Sequence, residues 1–246
     1  MIFSQCEKSN KPPGEVYKES GMEKKTALII GASRGLGLAM AKEYLTRGWH
    51  VVATARDKSG TALHTLAQNS SGRLEVEIVD ITDAEQTNLL KRKLGSKKFD
   101  LLFVNAGVTN DPLETIGQVS TDEFVRVMVT NTLSPMRMVE KFESNVVDKG
   151  TIGVMTSGLG SVADNEKGGF EIYRASKAGL NTLMRSFAAR NPGDRRTLLL
   201  IAPGWIRTDM GGPQGVYSVE EAIPRVVDTI IAQSGKSGLQ YLDQFG

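Results

Sequence analysis

A tyrosine and a lysine four positions apart are well suited to move a proton. They stand in Tyr173-Arg-Ala-Ser-Lys177, and on a helix this spacing puts both side chains on one face. A free tyrosine has a pKa of about 10, and a nearby ammonium lowers it because it stabilises the phenolate. The pair predicts a general acid/base for a substrate carbonyl or hydroxyl. Because this spacing is also common by chance, the pair depends on its context.

Two polar residues supply part of that context. Ser157 follows an apolar run, and its hydroxyl can donate to a substrate oxygen as charge develops there. Asn131 lies inside a stretch of helical periodicity, where asparagine is locally unfavourable. Holding a water against Lys177 would explain that asparagine, and a plain structural role is the alternative.

A glycine-rich segment, Gly31-Ala-Ser33-Arg34-Gly35-Leu36-Gly37, follows an apolar run directly and precedes a helical stretch. Glycine permits a tight strand-to-helix turn and lets backbone N–H groups approach a pyrophosphate. The helix N-terminus adds about half a positive charge. This order of elements predicts a dinucleotide site, with a plain strand-helix turn as the alternative.

The residues at the end of the second apolar run indicate which dinucleotide the site would bind. An NAD site usually has an acidic residue there for the ribose 2′-hydroxyl, whereas this chain has Ala55 followed by Arg56. Arg56 and Arg34 can pair with a 2′-phosphate, which favours NADP(H). Asp57 could be the missing acid shifted along the chain, so NAD(H) stays as the second choice.

Two further strand ends fit the same cofactor, since ligands of open α/β sheets bind at the carboxyl ends of the strands. Asp80 could accept from an adenine amino group while Ile81 packs on the ring, although a helix N-cap role for Asp80 is as good an explanation. Asn105-Ala106-Gly107 ends the fourth run with small residues, across which the cofactor could lie.

Short apolar runs alternate with amphipathic stretches along the whole chain. The runs are 27–30, 51–53, 74–79, 101–104, 152–155 and 198–201, with 239–242 as an edge strand. The helical stretches are 36–47, 83–94, 121–147 with a kink at Pro135, 173–190 and 218–232. Continuous apolar strands between helices predict a single-domain, Rossmann-like α/β fold: a doubly wound parallel sheet of about seven strands with helices on both faces.

The overall composition sets limits on partners. The 246 residues carry a net charge of +2, which gives no reason to expect nucleic acid or a membrane surface as partner. The single cysteine, Cys6, excludes an intrachain disulfide, and no metal site is expected. Residues 1–21 lack apolar periodicity and are expected to be a disordered lead-in, with the domain at 22–246. Nothing opposes a cytoplasmic location.

Taken together, the motifs at Gly31, Asn105, Asn131, Ser157, Tyr173 and Pro203 resemble the short-chain dehydrogenase/reductase family, from about Lys25 to Tyr241. The likeness is greatest to its small carbonyl reductases and C-signal-like members. It implies a catalytic tetrad of Asn131, Ser157, Tyr173 and Lys177. The implied cofactor residues are Gly31, Ser33, Arg34, Gly35, Leu36, Gly37, Arg56, Asp80, Ile81, Asn105, Ala106, Gly107, Tyr173, Lys177, Pro203, Gly204, Ile206 and Thr208.

The resemblance implies an NADP(H)-dependent oxidoreductase acting on a small carbonyl or alcohol substrate. The alternative is an NADP(H)-binding regulatory protein of the C-signal type with incidental catalysis. The resemblance does not decide whether the protein is a homodimer or a monomer. The chain departs from the family pattern at Ile30, where threonine is common, in an extra loop at 164–170 expected beside the substrate, and in a short segment between Thr208 and Ser218.

Overall fold

The computed structural model describes residues 24–58 and 60–246, so the expected lead-in at 1–21 lies outside the described residues. Seven strands form one parallel sheet in the order β3-β2-β1-β4-β5-β6-β7. They are β1 Thr26–Ile30, β2 His50–Ala55, β3 Leu74–Ile78, β4 Phe99–Val104, β5 Val146–Met155, β6 Thr197–Ala202 and β7 Gly238–Asp243. The predicted doubly wound fold is confirmed, including the edge strand at the C-terminus.

Helices cover both faces of the sheet, which explains why the strands are apolar throughout. They are α1 Gly35–Thr46, α2 Ala62–Gln68, α3 Ala84–Leu94, α4 Thr121–Met128, α5 Ser134–Phe142, α6 Glu171–Arg190 and α7 Val219–Gln233. In β1, Leu28 and Ile30 join the core beneath α3, α5 and α6, whereas Ala27 and Ile29 join the core beneath α1 and α7. Successive side chains of a strand point to opposite faces, so every residue of β1 after Thr26 is buried.

The single kinked helix predicted over 121–147 is wrong. Helix α4 ends at Met128, a π-helical turn occupies Val129–Leu133, and α5 ends at Phe142. Strand β5 then begins at Val146, inside the predicted helix. Pro135 stands in the first turn of α5, where its missing N–H is tolerated, and the irregularity falls on the turn before it. That π-helical turn contains Asn131.

Two smaller features were not anticipated. Helix α2 between β2 and β3 is only seven residues long and has one buried residue, Leu63, so its apolar pattern is weak. Asp80 is not a helix N-cap, because Asp83 caps α3 by accepting from Glu85 and Gln86. The Asp80 carboxylate accepts from the Thr82 N–H and hydroxyl instead.

Within the part of the chain that the structure describes, none of the helices is long and apolar enough to span a membrane. Nor do its histidines, cysteines and carboxylates form a group of three that could hold a metal ion.

Candidate active site

The predicted tetrad meets at the carboxyl end of the sheet. Tyr173 and Lys177 share one face of α6, and the Lys177 Nζ lies 5.7 Å from the Tyr173 ring centroid. Ser157 follows the end of β5 and is near enough to the Tyr173 phenol to lower its pKa. A Cβ built on Gly107 would lie 3.3 Å from the Asn131 Oδ1 and 3.6 Å from the Lys177 Nζ. Four residues from three parts of the chain thus surround one small space.

Lys177 is a buried cation. Its side chain is 3% exposed, and its Nζ donates to the Met155 carbonyl at 3.0 Å. Burial lowers the pKa of Lys177 from 10.5 to about 8, because the low-dielectric surroundings disfavour the charged form. The ammonium therefore carries its charge up to about neutral pH but can release its proton just above it.

Tyr173 differs from the expectation drawn from its spacing to Lys177. Burial raises the pKa of Tyr173 above its ordinary value of 10, and the nearby Ser157 hydroxyl opposes that rise only in part. Burial of the phenol is the dominant cause, so the pKa of Tyr173 is raised, whereas its spacing to Lys177 predicted that it would be lowered. A neutral phenol is the form that can donate a proton.

Ser157 presents its hydroxyl in a defined way. The residue is extended, and its Oγ accepts from the Leu159 N–H at 3.2 Å as the cap of a 3-10 turn over Gly158–Gly160. Because one acceptor position of the oxygen is occupied by the backbone, the hydroxyl proton remains to be donated. The turn packs tightly on α6: a Cβ on Gly160 would lie 3.1 Å from the Lys177 Cβ.

Asn131 is fully buried, and its amide joins three parts of the site. The Oδ1 accepts from the Val108 N–H and the Nδ2 donates to the Val108 carbonyl, both at 2.8 Å. The Nδ2 also donates to the Ser176 hydroxyl at 3.0 Å. The side chain therefore fixes the segment after β4 against α6. Since Pro135 has no N–H, it cannot make the α-helical bond to the Asn131 carbonyl four residues earlier.

The glycine-rich turn has the geometry its composition predicts. Gly31 has φ +85°, and a Cβ there would lie 2.7 Å from the Ala106 backbone. A Cβ on Gly37 would lie 2.1 Å from the Gly31 carbonyl oxygen. The Asn105 side chain donates to that same carbonyl at 2.8 Å. The turn is thus packed against the end of β4 with no room for side chains at these two positions.

Helix α1 begins at this turn without an acidic or capping side chain. Its N-cap is Arg34, which makes no side-chain cap hydrogen bond, and its first turn contains no acidic residue. Helices α3, α4 and α7 have a capping Asp or Ser, whereas α2, α5 and α6, like α1, have no side-chain cap. The N–H groups at the start of α1 therefore have no side-chain acceptor and favour an anion.

The two arginines proposed for a 2′-phosphate are both exposed. Arg34 lies 3.5 Å from Asp209, and this pair is largely solvated, with side chains 75% and 84% exposed. Such a pair contributes little, so an incoming phosphate could replace it. Arg56 follows β2 directly, with the exposed Asp57 after it. Arg34, Arg56 and Asp57 are therefore the side chains on which a preference for NADP(H) or NAD(H) depends.

The segment after β6 is short and is held by hydrogen bonds between its own residues. Pro203 is buried, and the Trp205 Nε1 donates to the Gly211 carbonyl at 2.7 Å. The Thr208 Oγ1 accepts from the Gly211 N–H at 3.0 Å. Ile206 is buried and forms a bridge with Tyr217. The segment is therefore a compact turn beside the site.

The extra loop at 164–170 ends against Tyr173. Phe170 has φ +53° and precedes α6, its ring centroid lies 6.4 Å from that of Tyr173, and its N–H donates to the Pro112 carbonyl at 2.8 Å. Arg174 holds the loop by donating to the Gly169 carbonyl at 3.0 Å. Phe170 is thus an apolar neighbour of Tyr173 that the sequence motifs did not identify.

Thr54 also escaped the sequence reasoning. It is buried in β2, and its Oγ1 accepts from the Gly31 N–H at 2.9 Å. The chain has Ile30 where relatives often have a threonine, and the neighbouring strand supplies a hydroxyl to the same turn. A threonine in the middle of an apolar run was the available signal.

Comparison with known proteins agrees with this geometry. A family model for short chain dehydrogenases matches residues 25–215. The chain therefore belongs to the short-chain dehydrogenase family, a family of oxidoreductases.

Solved structures and a characterised relative agree with that assignment. A short-chain dehydrogenase/reductase from Burkholderia multivorans with bound NADP is 54% identical, with a TM-score of 0.89 over 91% of this chain and 97% of that one. A carbonyl reductase from Pseudomonas aeruginosa PAO1 in complex with NADP is 32% identical, with a TM-score of 0.83 over 90% and 96%. The 1-hydroxy-2-glutathionyl-2-methyl-3-butene dehydrogenase of Rhodococcus sp. (strain AD45) is 31% identical over 75% of this chain and 79% of its own length.

Proposed function

We propose that this protein is an NADP(H)-dependent carbonyl reductase that acts on small carbonyl or alcohol substrates. The observation that carries the proposal is the meeting of Ser157, Tyr173 and Lys177 at the same edge of the sheet as the glycine-rich turn. NADP bound to the Burkholderia and Pseudomonas relatives supports the choice of cofactor.

The cofactor site fits NADP(H) in this chain. Gly31 and Gly37 let the turn pack closely against the end of β4, and the start of α1, which has no side-chain cap, suits a pyrophosphate. Arg34 and Arg56 are exposed and can turn toward a 2′-phosphate. When bound, the nicotinamide supplies or accepts a hydride at the substrate carbon.

The protein side of the reaction is proton transfer at the substrate oxygen. In the reductive direction the Ser157 hydroxyl donates a hydrogen bond to the carbonyl oxygen and stabilises the charge that develops there. The Tyr173 phenol gives its proton to that oxygen, which completes the alcohol. The phenolate left behind is stabilised by the Lys177 ammonium and recovers its proton from solvent. Oxidation of an alcohol follows the same steps in reverse.

The test is a screen of aldehydes, ketones and quinones with NADPH and NADH side by side. We expect turnover with NADPH, a weaker response to NADH, and loss of turnover in Tyr173→Phe with NADPH binding retained. Tight NADPH binding by the wild type without turnover of any carbonyl would refute the reductase and favour a regulatory dinucleotide-binding protein.

A further inference from the structure

The C-terminal strand reaches the catalytic serine from the edge of the sheet. Strand β7 pairs with β6, with Tyr241 opposite Leu200, and β6 separates it from β5. The Tyr241 hydroxyl nevertheless donates to the carbonyl oxygen of Ser157 at 3.1 Å, across the end of β6. Tyr241 of the last strand is therefore in direct contact with Ser157, whose hydroxyl lies near Tyr173.

Three hydrogen bonds hold the Ser157 residue. Its carbonyl accepts from the Gly160 N–H at 2.9 Å as well as from Tyr241, and its Oγ accepts from the Leu159 N–H. Two of these bonds lie within the local 3-10 turn and would move together with it. The Tyr241 bond comes from another element, so it fixes the turn relative to the sheet.

The backbone around Tyr241 is held by contacts of its neighbours, while its side chain is 47% exposed. Gln244, three residues further on, is buried, and its Nε2 donates to the Pro203 carbonyl at 3.0 Å. The Thr229 hydroxyl of α7 donates to the Gln244 carbonyl at 3.3 Å. With strand pairing at its own position and this anchor beyond it, Tyr241 can restrain Ser157 without large motion of its own.

We propose that Tyr241 is a positioning residue for the reaction, which sets the orientation of the Ser157 hydroxyl toward Tyr173 and the substrate oxygen. The proposal rests on the proposed reductase function. A hydrogen bond to a developing charge depends on its geometry, so a small rotation of the Ser157 peptide reduces the stabilisation it provides. A purely structural Tyr241 would fasten the edge strand and leave the chemical step unchanged.

The experiment compares Tyr241→Phe, Ser157→Ala and the double variant in steady-state reduction of one carbonyl by NADPH. Tyr241→Phe removes only the hydroxyl, and we expect kcat to fall about three- to tenfold, as for one lost hydrogen bond. The KM for NADPH should stay within about twofold because the glycine-rich turn is untouched. In the Ser157→Ala background, Tyr241→Phe should cause no further loss, since the group it orients is gone.

Tyr44→Phe is the matched control. It removes the same atom from a buried tyrosine on α1 whose hydroxyl has no hydrogen-bond partner in the structure, and it should keep the wild-type kcat. Melting temperatures of all variants separate loss of folding from loss of positioning.

Wild-type kcat in Tyr241→Phe would overturn the inference, as would a lower melting temperature with unchanged kcat. Equal losses from Tyr241→Phe in the wild-type and Ser157→Ala backgrounds would also overturn it, because the hydroxyl would then act independently of Ser157. Each of these results leaves the reductase function standing. Absence of turnover in both the wild type and Tyr44→Phe would refute the reductase function and the inference with it.

Discussion

Replacing the buried lysine by methionine should abolish activity and at the same time stabilise the fold. The fall of the Lys177 pKa from 10.5 to about 8 corresponds to about 3 kcal/mol against the buried ammonium. Methionine fills a similar volume without charge, but the Met155 carbonyl loses its donor, which costs about 1 kcal/mol. We therefore expect the free energy of unfolding of Lys177→Met to exceed that of the wild type by about 2 kcal/mol at pH 7.

The difference should depend on pH in a defined direction. Between about pH 8 and 10.5 the unfolded chain binds more protons at Lys177 than the folded chain, so the wild type gains stability from this group as pH rises. Below pH 8 the cost of the charged lysine is fully present, and by pH 10.5 it has gone. The advantage of Lys177→Met should therefore be constant below pH 8, fall as pH rises above 8, and reverse to a deficit of about 1 kcal/mol near pH 10.5, where only the lost hydrogen bond to Met155 remains.

Urea unfolding of both proteins at several pH values measures this difference, and Lys42→Met is the control, because it removes a lysine at an exposed position of α1. A Lys177→Met protein less stable than the wild type at pH 7, or a difference that does not change with pH, would refute the reasoning. In the wild type, ketone reduction should lose half its rate near pH 8 if the ammonium is required, since Tyr173 keeps its proton to higher pH.

Four further outcomes are expected. Tyr173→Phe should lower kcat by about 100-fold or more and leave the NADPH dissociation constant within a few-fold, because only the proton donor is lost; wild-type turnover would show that the acid is misassigned. Arg56→Asp should weaken NADPH much more than NADH, measured as dissociation constants, and equal constants in the wild type would contradict the assignment. Gly31→Ala should unfold at a clearly lower temperature, because its Cβ would lie 2.7 Å from the Ala106 backbone at φ +85°. The short segment at 208–217 leaves little chain to close over a substrate, so KM values of about 0.1–1 mM and a broad carbonyl range are expected; low-micromolar binding of one ketone alone would count against this.

The sheet could be predicted from the sequence because its physical cause is local. A strand buried on both faces must be apolar at every position, so six runs located six strands, and the run at 239–242 located the seventh. The π-helical turn at Val129–Leu133 could not be found in this way, since a one-residue change in hydrogen-bonding pattern hardly disturbs helical periodicity. Strand β5 began earlier than expected for a related reason: Asp148 and Lys149 interrupt its apolar run.

In the candidate site too, the residues that could be predicted are those whose signal is local in the sequence. Tyr173 with Lys177 and the glycines of the turn carry their signal within a few residues. Tyr241 and Ser157 meet from positions 84 residues apart, and Gln244 and Pro203 from positions 41 apart. No local pattern encodes such a contact, because it depends on the order of strands in the sheet. The pKa of Tyr173 was misjudged for a similar reason, since burial is set by the whole fold.

The junction between β5 and α6 has a consequence for motion. Lys177 is bonded to the Met155 carbonyl, the Thr156 hydroxyl donates to Asn181 at 2.6 Å, and Gly160 packs against the Lys177 backbone. These links join the end of the strand to the helix as one rigid body that carries Ser157, Tyr173 and Lys177. The three side chains of the proposed site are thus ordered when the chain folds, and little conformational entropy is left for a bound ligand to remove from them.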